Sequence, residues 1–485
     1  MPHPRFRLRL LALLLVGILL PGTTACAMGS AATLPGGAAQ PEGLFLADHV
    51  QLTTADQFVK AGEAYFSPDG SWVIFQAVPR PEGDAPVSPH YSMYVGRLVR
   101  DEDGRIRGLD RIQRISPEGS ANTCGWFHPS LPGVVLFGST LVPPSDDAAP
   151  GYSRGTGRYT WQFPPEMNVV TRTIPAIVDD VVEDPMTRSM LLGRDDVEQP
   201  AVLIEHDGYC AEGSWSPDGR SILYTAVDAA TGDGNLYIYH LETDERLPLI
   251  TARGYDGGPF FSPDGRWICY RSDRRGDNLL QLFVAELEFD DRGLPVGVRQ
   301  EVQLTDNQDV NWAPYWHPSG QYLVYATSEV GHHNYEVFAV PFDRRTTRAP
   351  HDSEATVRIS HADGFDGLPV FSPDGDWLMW TAQRGRDIGP SGRPTSQLWI
   401  ASVIAAAPPG LRVTGLPMRA EQDTFRPDGT GGGLQEAHAV ADPDVRRYDE
   451  HVVTLANPYF EGRLPGSEGI ARAEDYITHQ FEKIG

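Results

Sequence analysis

The sequence predicts an all-β fold, a six-bladed β-propeller closed by an N-terminal strand. Three observations carry that expectation: a tight turn written six times, a short apolar run on each side of every copy, and a strand end left over near the start of the chain. The turn stands as Phe66-Ser67-Pro68-Asp69-Gly70, Trp215-Ser216-Pro217-Asp218-Gly219, Phe261-Ser262-Pro263-Asp264-Gly265 and Phe371-Ser372-Pro373-Asp374-Gly375. Looser copies are Phe127-His128-Pro129-Ser130 and Trp316-His317-Pro318-Ser319-Gly320. Ser or His accepts hydrogen bonds at the first polar position, Pro presets φ, Asp tolerates the next conformation and Gly closes the turn. Runs such as Trp267-Ile268-Cys269-Tyr270 and Tyr322-Leu323-Val324-Tyr325 follow it, so each copy reads as two antiparallel strands around a turn.

Composition agrees with this. The 485 residues include 50 glycines and 41 prolines, which suit many turns and argue against long helices. A net charge of −25 makes a nucleic-acid partner unfavourable. Residues 1–26 read as an export signal, with Arg5, Arg7 and Arg9 ahead of an apolar run from Leu8 to Leu20 that is short for a membrane span. Thr23-Thr24-Ala25-Cys26 resembles a bacterial lipobox, which implies a lipid on Cys26; Ala25-Cys26-Ala27 also fits plain cleavage before Met28. Either processing gives an exported protein, periplasmic or held at the cell envelope, that touches a membrane only through the lipid. Cys124, Cys210 and Cys269 remain, too few and too scattered for a disulfide framework, and Cys269 reads as a small buried hydrophobe.

Residues 27–44, rich in Ala, Gly and Pro, read as a flexible tether, and residues 45–405 as the propeller. The clearest unit runs from Leu249-Ile250-Thr251 through Pro259-Phe260-Phe261, the turn, Trp267 to Tyr270, and Leu280 to Leu287. Four strands per unit make a blade. Between turn prolines 68, 129, 217, 263, 318 and 373 the spacings are 61, 88, 46, 55 and 55 residues. The long interval holds either an insertion, residues 141–200, or a degenerate seventh blade; Tyr152, Tyr159, Trp161 and Phe163 in it are expected to pack on the blade or to reach over one mouth of the ring. The last blade lacks an outer strand, while Val50-Gln51-Leu52-Thr53 matches Val302-Gln303-Leu304-Thr305 and has no blade before it. Residues 49–54 are therefore expected to complete the last blade and hide two open edges.

The Ser-Pro-Asp-Gly turns, the Leu-Thr strand ends and the loop Ser272-Asp273-Arg274-Arg275-Gly276-Asp277-Asn278 resemble the TolB-type propeller repeat across about residues 45–405. That resemblance implies a platform for a peptide or protein partner; the short stretch 27–44 leaves no room for the α/β domain that precedes the propeller in TolB itself. Residues 406–443 read as a linker. Residues 444–485 read as two helices around Glu461-Gly462-Arg463-Leu464-Pro465-Gly466-Ser467-Glu468-Gly469. This loop between helices resembles the opening of the di-zinc aminopeptidase family, of the aminopeptidase Y and glutamate carboxypeptidase type. It implies the start of an α/β peptidase domain, with Glu461, Gly462, Arg463, Gly466 and Gly469 in structural roles. In that family zinc is held by His, Asp and Glu residues that match no position here, so no catalytic or metal residue is assigned and zinc is expected only with a complete peptidase domain. His361-Ala362-Asp363 and His332-His333 read as blade connections, and no Gly-x-Ser-x-Gly elbow, His-Glu-x-x-His or phosphate loop is present. The sequence thus reads as the binding or substrate-gating part of an exported di-zinc aminopeptidase, inactive by itself; the alternative is a stand-alone TolB-like envelope scaffold.

Overall fold

In the computed structural model the residues described are 41–413, apart from 84, 146–150, 154–159, 163, 229, 345–355, 386–387 and 390–393. They belong to one compact unit, Met1–Leu416. The second unit, Pro417–Gly485, lies outside the described residues, and with it the Glu461–Gly469 loop; so do Cys26 and residues 414–443 of the expected linker. Of the linker's first residues, 406–413, Leu411 is buried, and Ala407 and Val413 pack on the apolar cluster of blades 5 and 6.

Six four-stranded antiparallel sheets follow one another along the chain. Blade 1 comprises Phe58–Phe66, Trp72–Pro79, Ser92–Arg100 and Ile106–Arg114; blade 2 comprises Asn122–Phe127, Val134–Ser139, Asn168–Thr173 and Ala201–Ile204. Blades 3, 4 and 5 begin with the inner strands Cys210–Trp215, Asp256–Phe261 and Asn311–Trp316. Blade 6 takes Asp366–Phe371, Trp377–Ala382 and Gln397–Val403, and Leu46–Gln51 as its outer strand. There is no seventh blade among the described residues. The second strand of every blade is buried on both faces, which is why these strands read as unbroken apolar runs. Apolar clusters fill the spaces between neighbouring blades, for example Cys269, Val284, Leu323 and Tyr325 between blades 4 and 5.

The repeat turn has one chemistry throughout. Ser262 Oγ donates to Asp264, accepts from the Trp267 N–H at 2.9 Å, and Asp264 in turn accepts from the Arg266 N–H. Gly265 sits at φ 69°, a left-handed conformation that suits glycine. In the looser copies a histidine ring replaces the serine hydroxyl, and His128 Nδ1 accepts from the Ser130 and Leu131 N–H groups. The Leu-Thr strand ends also have a physical role. Thr305 Oγ1 accepts from the Leu282 N–H at 2.9 Å, and Ser116 and Ser360 do the same for Met93 and Val337.

Ring closure uses that staple. Leu46 pairs with Val403 and Gln51 with Trp399, Thr53 Oγ1 donates to Gln397 at 2.8 Å, and the Leu398 N–H donates to Thr53. The closing strand begins at Leu46 rather than at residue 49, because a bulge at Asp48 (φ 51°) lets the chain pair three residues earlier. The tether expected through residue 44 also ends sooner. Pro41–Leu44 form a 3-10 turn whose Glu42 is buried against Arg384 (2.6 Å), His49 (2.7 Å) and the His361 N–H (2.8 Å).

The long interval in blade 2 is an insertion in two parts. One strand pair, Gly151–Ser153 with Thr160–Gln162, lies between the second and third strands; helices Pro175–Val181 and Pro185–Leu192 lie between the third and fourth. Asp184 caps the second helix by accepting from the Thr187 N–H. The side chains of Tyr152, Tyr159, Trp161 and Phe163 lie outside the described part of the structure. Among the described residues no helix is long and apolar enough to cross a membrane.

Candidate functional site

Every inner strand carries a bulge at one register, five residues before the turn proline. The residues there are Glu63, Cys124, Glu212, Gly258, Ala313 and Leu368, all at positive φ between 40° and 59°. A bulge re-aims a side chain, and here all six blades contribute to one cavity of about 20 Å³. That is room for about one water molecule.

Its lining mixes apolar residues, Phe260, Ala313 and Leu368 among them, with polar groups that hydrogen-bond one another. Glu212 accepts from the Tyr255 hydroxyl (2.6 Å), the Gly258 N–H (2.5 Å), the Thr225 hydroxyl (3.0 Å) and Arg271 (3.1 Å). The Arg271 guanidinium fills the space where a Cβ on Gly258 would stand, 1.9 Å away, so that blade presents glycine. Glu63 accepts from the Cys124 thiol (3.0 Å) and the Tyr65 hydroxyl (3.1 Å). Burial raises the Glu63 pKa, against the pull of the Cys124 hydrogen bond and the Arg271 charge. Burial and then the Glu63 charge push the Cys124 thiol well up, so it is not a poised nucleophile. Tyr65 and Tyr255 are likewise held protonated by burial.

One layer outward, three residues before the turn prolines, stand Tyr65, Trp126, Phe260 and Tyr315. Tyr65 of blade 1 meets Phe260 of blade 4 at 5.6 Å between ring centroids, and Trp126 of blade 2 meets Tyr315 of blade 5 at 6.2 Å. These are opposite blades, so the rings touch across the axis and plug the channel. Beyond the plug, Pro68, Pro129, Pro217, Pro263, Pro318 and Pro373 rim a funnel of about 250 Å³. The turns singled out in the sequence thus converge on one mouth, with Asp69, Asp218, Asp264 and Asp374 exposed around it and Gly70, Gly219, Gly320 and Gly375 in the left-handed region like Gly265.

The sequence reading did not single out Glu63, Glu212, Tyr255 or Arg271, and named Cys124 only as one of three scattered cysteines. Glu63, Cys124 and Glu212 were within reach by counting back from the turn; Tyr255 and Arg271 enter through side chains that no repeat register marks. His361 hydrogen-bonds within the blade connection through Ile359 O, and His332 lies beside Tyr335. Among the described residues no group of three or more His, Cys, Asp or Glu side chains is arranged to hold a metal ion. No step through zinc is therefore derived from them.

No protein-family profile matches the chain, and no curated protein matches it. Solved structures similar to it include TolB from Acinetobacter baumannii (15% identity, 69% of this chain and 64% of that one, TM-score 0.40). An oligogalacturonate lyase from Vibrio parahaemolyticus is similar at 11% identity over 73% of this chain and 92% of that one, TM-score 0.37. A puromycin-hydrolysing peptidase from Mycobacterium tuberculosis is similar at 12% identity over 77% of this chain and 49% of that one, TM-score 0.36. The six blades are read from this chain's own sheets, and these likenesses add nothing about its chemistry.

Proposed function

We propose that this chain is the binding module of an exported, lipid-anchored di-zinc aminopeptidase, and that its propeller engages polypeptide on a face of the ring. The observation that carries the reading is the plugged channel: with Tyr65 against Phe260 and Trp126 against Tyr315, a polypeptide cannot thread the axis. Any gating of substrate is then exerted by docking on a mouth, not by passage through it. The polar groups beneath the plug hydrogen-bond one another, which fits a binding scaffold better than a catalytic one. Support for the peptidase assignment is the resemblance of Glu461, Gly462, Arg463, Gly466 and Gly469 to the loop that opens the family's catalytic domain. Support for export and a lipid on Cys26 is the leader pattern of residues 1–26.

The test is an assay of the 485-residue chain with zinc supplied. It is expected to bind a reduced, carboxymethylated basic protein and to leave leucine p-nitroanilide intact. Hydrolysis by this chain would contradict the division of labour. Coding sequence downstream of Gly485 that supplies His-x-Asp and Glu-Glu motifs supports the peptidase assignment; a stop codon there favours the scaffold alternative.

A further inference from the structure

The turn-side face carries more than the central funnel. On one flank a second cavity, about 220 Å³, shares the walls Pro68, Phe127 and Pro129 with the funnel and is bounded by Ile177 and Val181 of the first inserted helix. On the other flank a third cavity, about 420 Å³, shares Ser216, Pro217 and Phe261 with the funnel and runs out to Phe289, Pro295 and Arg299 of blade 4. The three therefore form one trough, from blades 1 and 2 across the axis to blades 3 and 4. We propose that this trough holds an extended, cationic polypeptide segment, with a bulky apolar side chain seated in the central funnel.

The proposal rests on the binding-module reading and names its ligand. A chain crossing a trough of successive pockets presents alternate side chains to it, as extended peptides do. The funnel wall is proline and aromatic rings, Trp126, Phe260 and Tyr315 among them, which suits an apolar anchor. Charge supplies the rest. Four exposed aspartates, Asp69, Asp218, Asp264 and Asp374, stand around the funnel; among the described residues the ion pair formed by these four is Asp264 with Arg344, at 2.8 Å. His128 beside Asp69 adds no cation at neutral pH, because burial pushes its pKa down to about 4. The outer cavity is lined by Asp218, Asp264 and Glu286 against Arg266 and Arg299, with Glu286 paired to Arg299 at 3.5 Å. A chain of net charge −25 attracts a cationic segment at long range as well.

The test uses the full 485-residue chain and two fluorescein-labelled dodecapeptides, one of repeating Lys-Pro-Phe and one with Glu for every Lys. The basic peptide is expected to bind saturably, more weakly as salt is raised, and the acidic one at least about tenfold more weakly. The triple variant Asp69→Asn, Asp218→Asn, Asp374→Asn keeps an acceptor oxygen in each turn and is expected to lose about tenfold in affinity. Phe289→Ser, at a residue 40% exposed, removes apolar wall without adding charge and is expected to weaken binding similarly without disturbing the fold. Met186→Ser on the outer inserted helix is expected to change nothing. Equal affinity for both peptides, or wild-type affinity in the triple variant and Phe289→Ser, would overturn the trough while leaving the binding-module reading in place. Binding of the carboxymethylated basic protein without binding of either dodecapeptide by the folded chain would likewise overturn the trough alone.

Discussion

Two registers of the same inner strand differ sharply. At the turn, the blades repeat nearly the same residues, and Ser67, Ser216, Ser262 and Ser372 all donate to the aspartate two positions on. Five residues before each turn proline, the six blades carry Glu, Cys, Glu, Gly, Ala and Leu on the same bulged backbone. The turn solves a local problem that each blade meets by itself, so one solution is copied. The bulge positions share a single space on the axis, and six copies of any large or charged residue could not fit there. Repetition accordingly records the fold, while departure from it marks where the blades act together.

Substitutions should separate the two registers, beginning with the axis. Arg271→Met leaves the Glu212 carboxylate, 7% exposed, without its cation, and is expected to cost about 3–5 kcal/mol in urea unfolding. If this variant unfolds no earlier than wild type, the polar layer is not an interdependent unit. Closure of the ring should come next. Thr53→Ala removes the acceptor for the Leu398 N–H and the donor to Gln397, with an expected loss of about 1–3 kcal/mol. Smallest should be the turn: Ser262→Ala is expected to cost about 1 kcal/mol, and Ser67→Ala, Ser216→Ala and Ser372→Ala about the same. Unequal losses among these four would show that the turns are not equivalent after all.

Acidity offers a further comparison, between two buried carboxyl groups whose pKa values are shifted in opposite directions. Burial opposes the charge of Glu42, but His49, Arg384 and the His361 N–H outweigh it and hold the pKa at about 2, below its ordinary 4.5. Its contribution to stability is complete above about pH 4.5 and is lost as the pH falls to about 2. Burial drives Glu336 the other way, to about 7, despite hydrogen bonds from Ser360 and Arg358. Its contribution is complete below about pH 4.5 and is lost as the pH rises through about 7. Glu42→Gln should therefore flatten the acid limb of a stability profile, and Glu336→Gln the limb between pH 4.5 and 7.

Much of the architecture was legible because its signals are local. The turn serine and proline announce each hairpin, and Leu52-Thr53 at the head of the chain implied a partner strand elsewhere, found at Gln397–Val403. The closing strand starts earlier than the sequence indicated, since no repeat register marks the bulge at Asp48 and the burial of Glu42 depends on Arg384, far away in sequence. The inserted helices passed unread among turn residues, although Asp184-Pro185 is a cap and first-turn signal. Of the channel, half could have been found by counting from the turns. The Arg271–Glu212–Tyr255 set could not, because only the ring brings blades 3 and 4 together there.

The central claim, that the ring works on its turn-side face and not through its channel, is best tested by hydrogen–deuterium exchange of the 485-residue chain with and without a reduced, carboxymethylated basic protein. Protection is expected at the turns around Pro68, Pro129, Pro217 and Pro263 and at the outer hairpin of blade 4, residues 287–296. Protection confined to the opposite loops, residues 80–91, 228–233 and 328–335, would contradict the account.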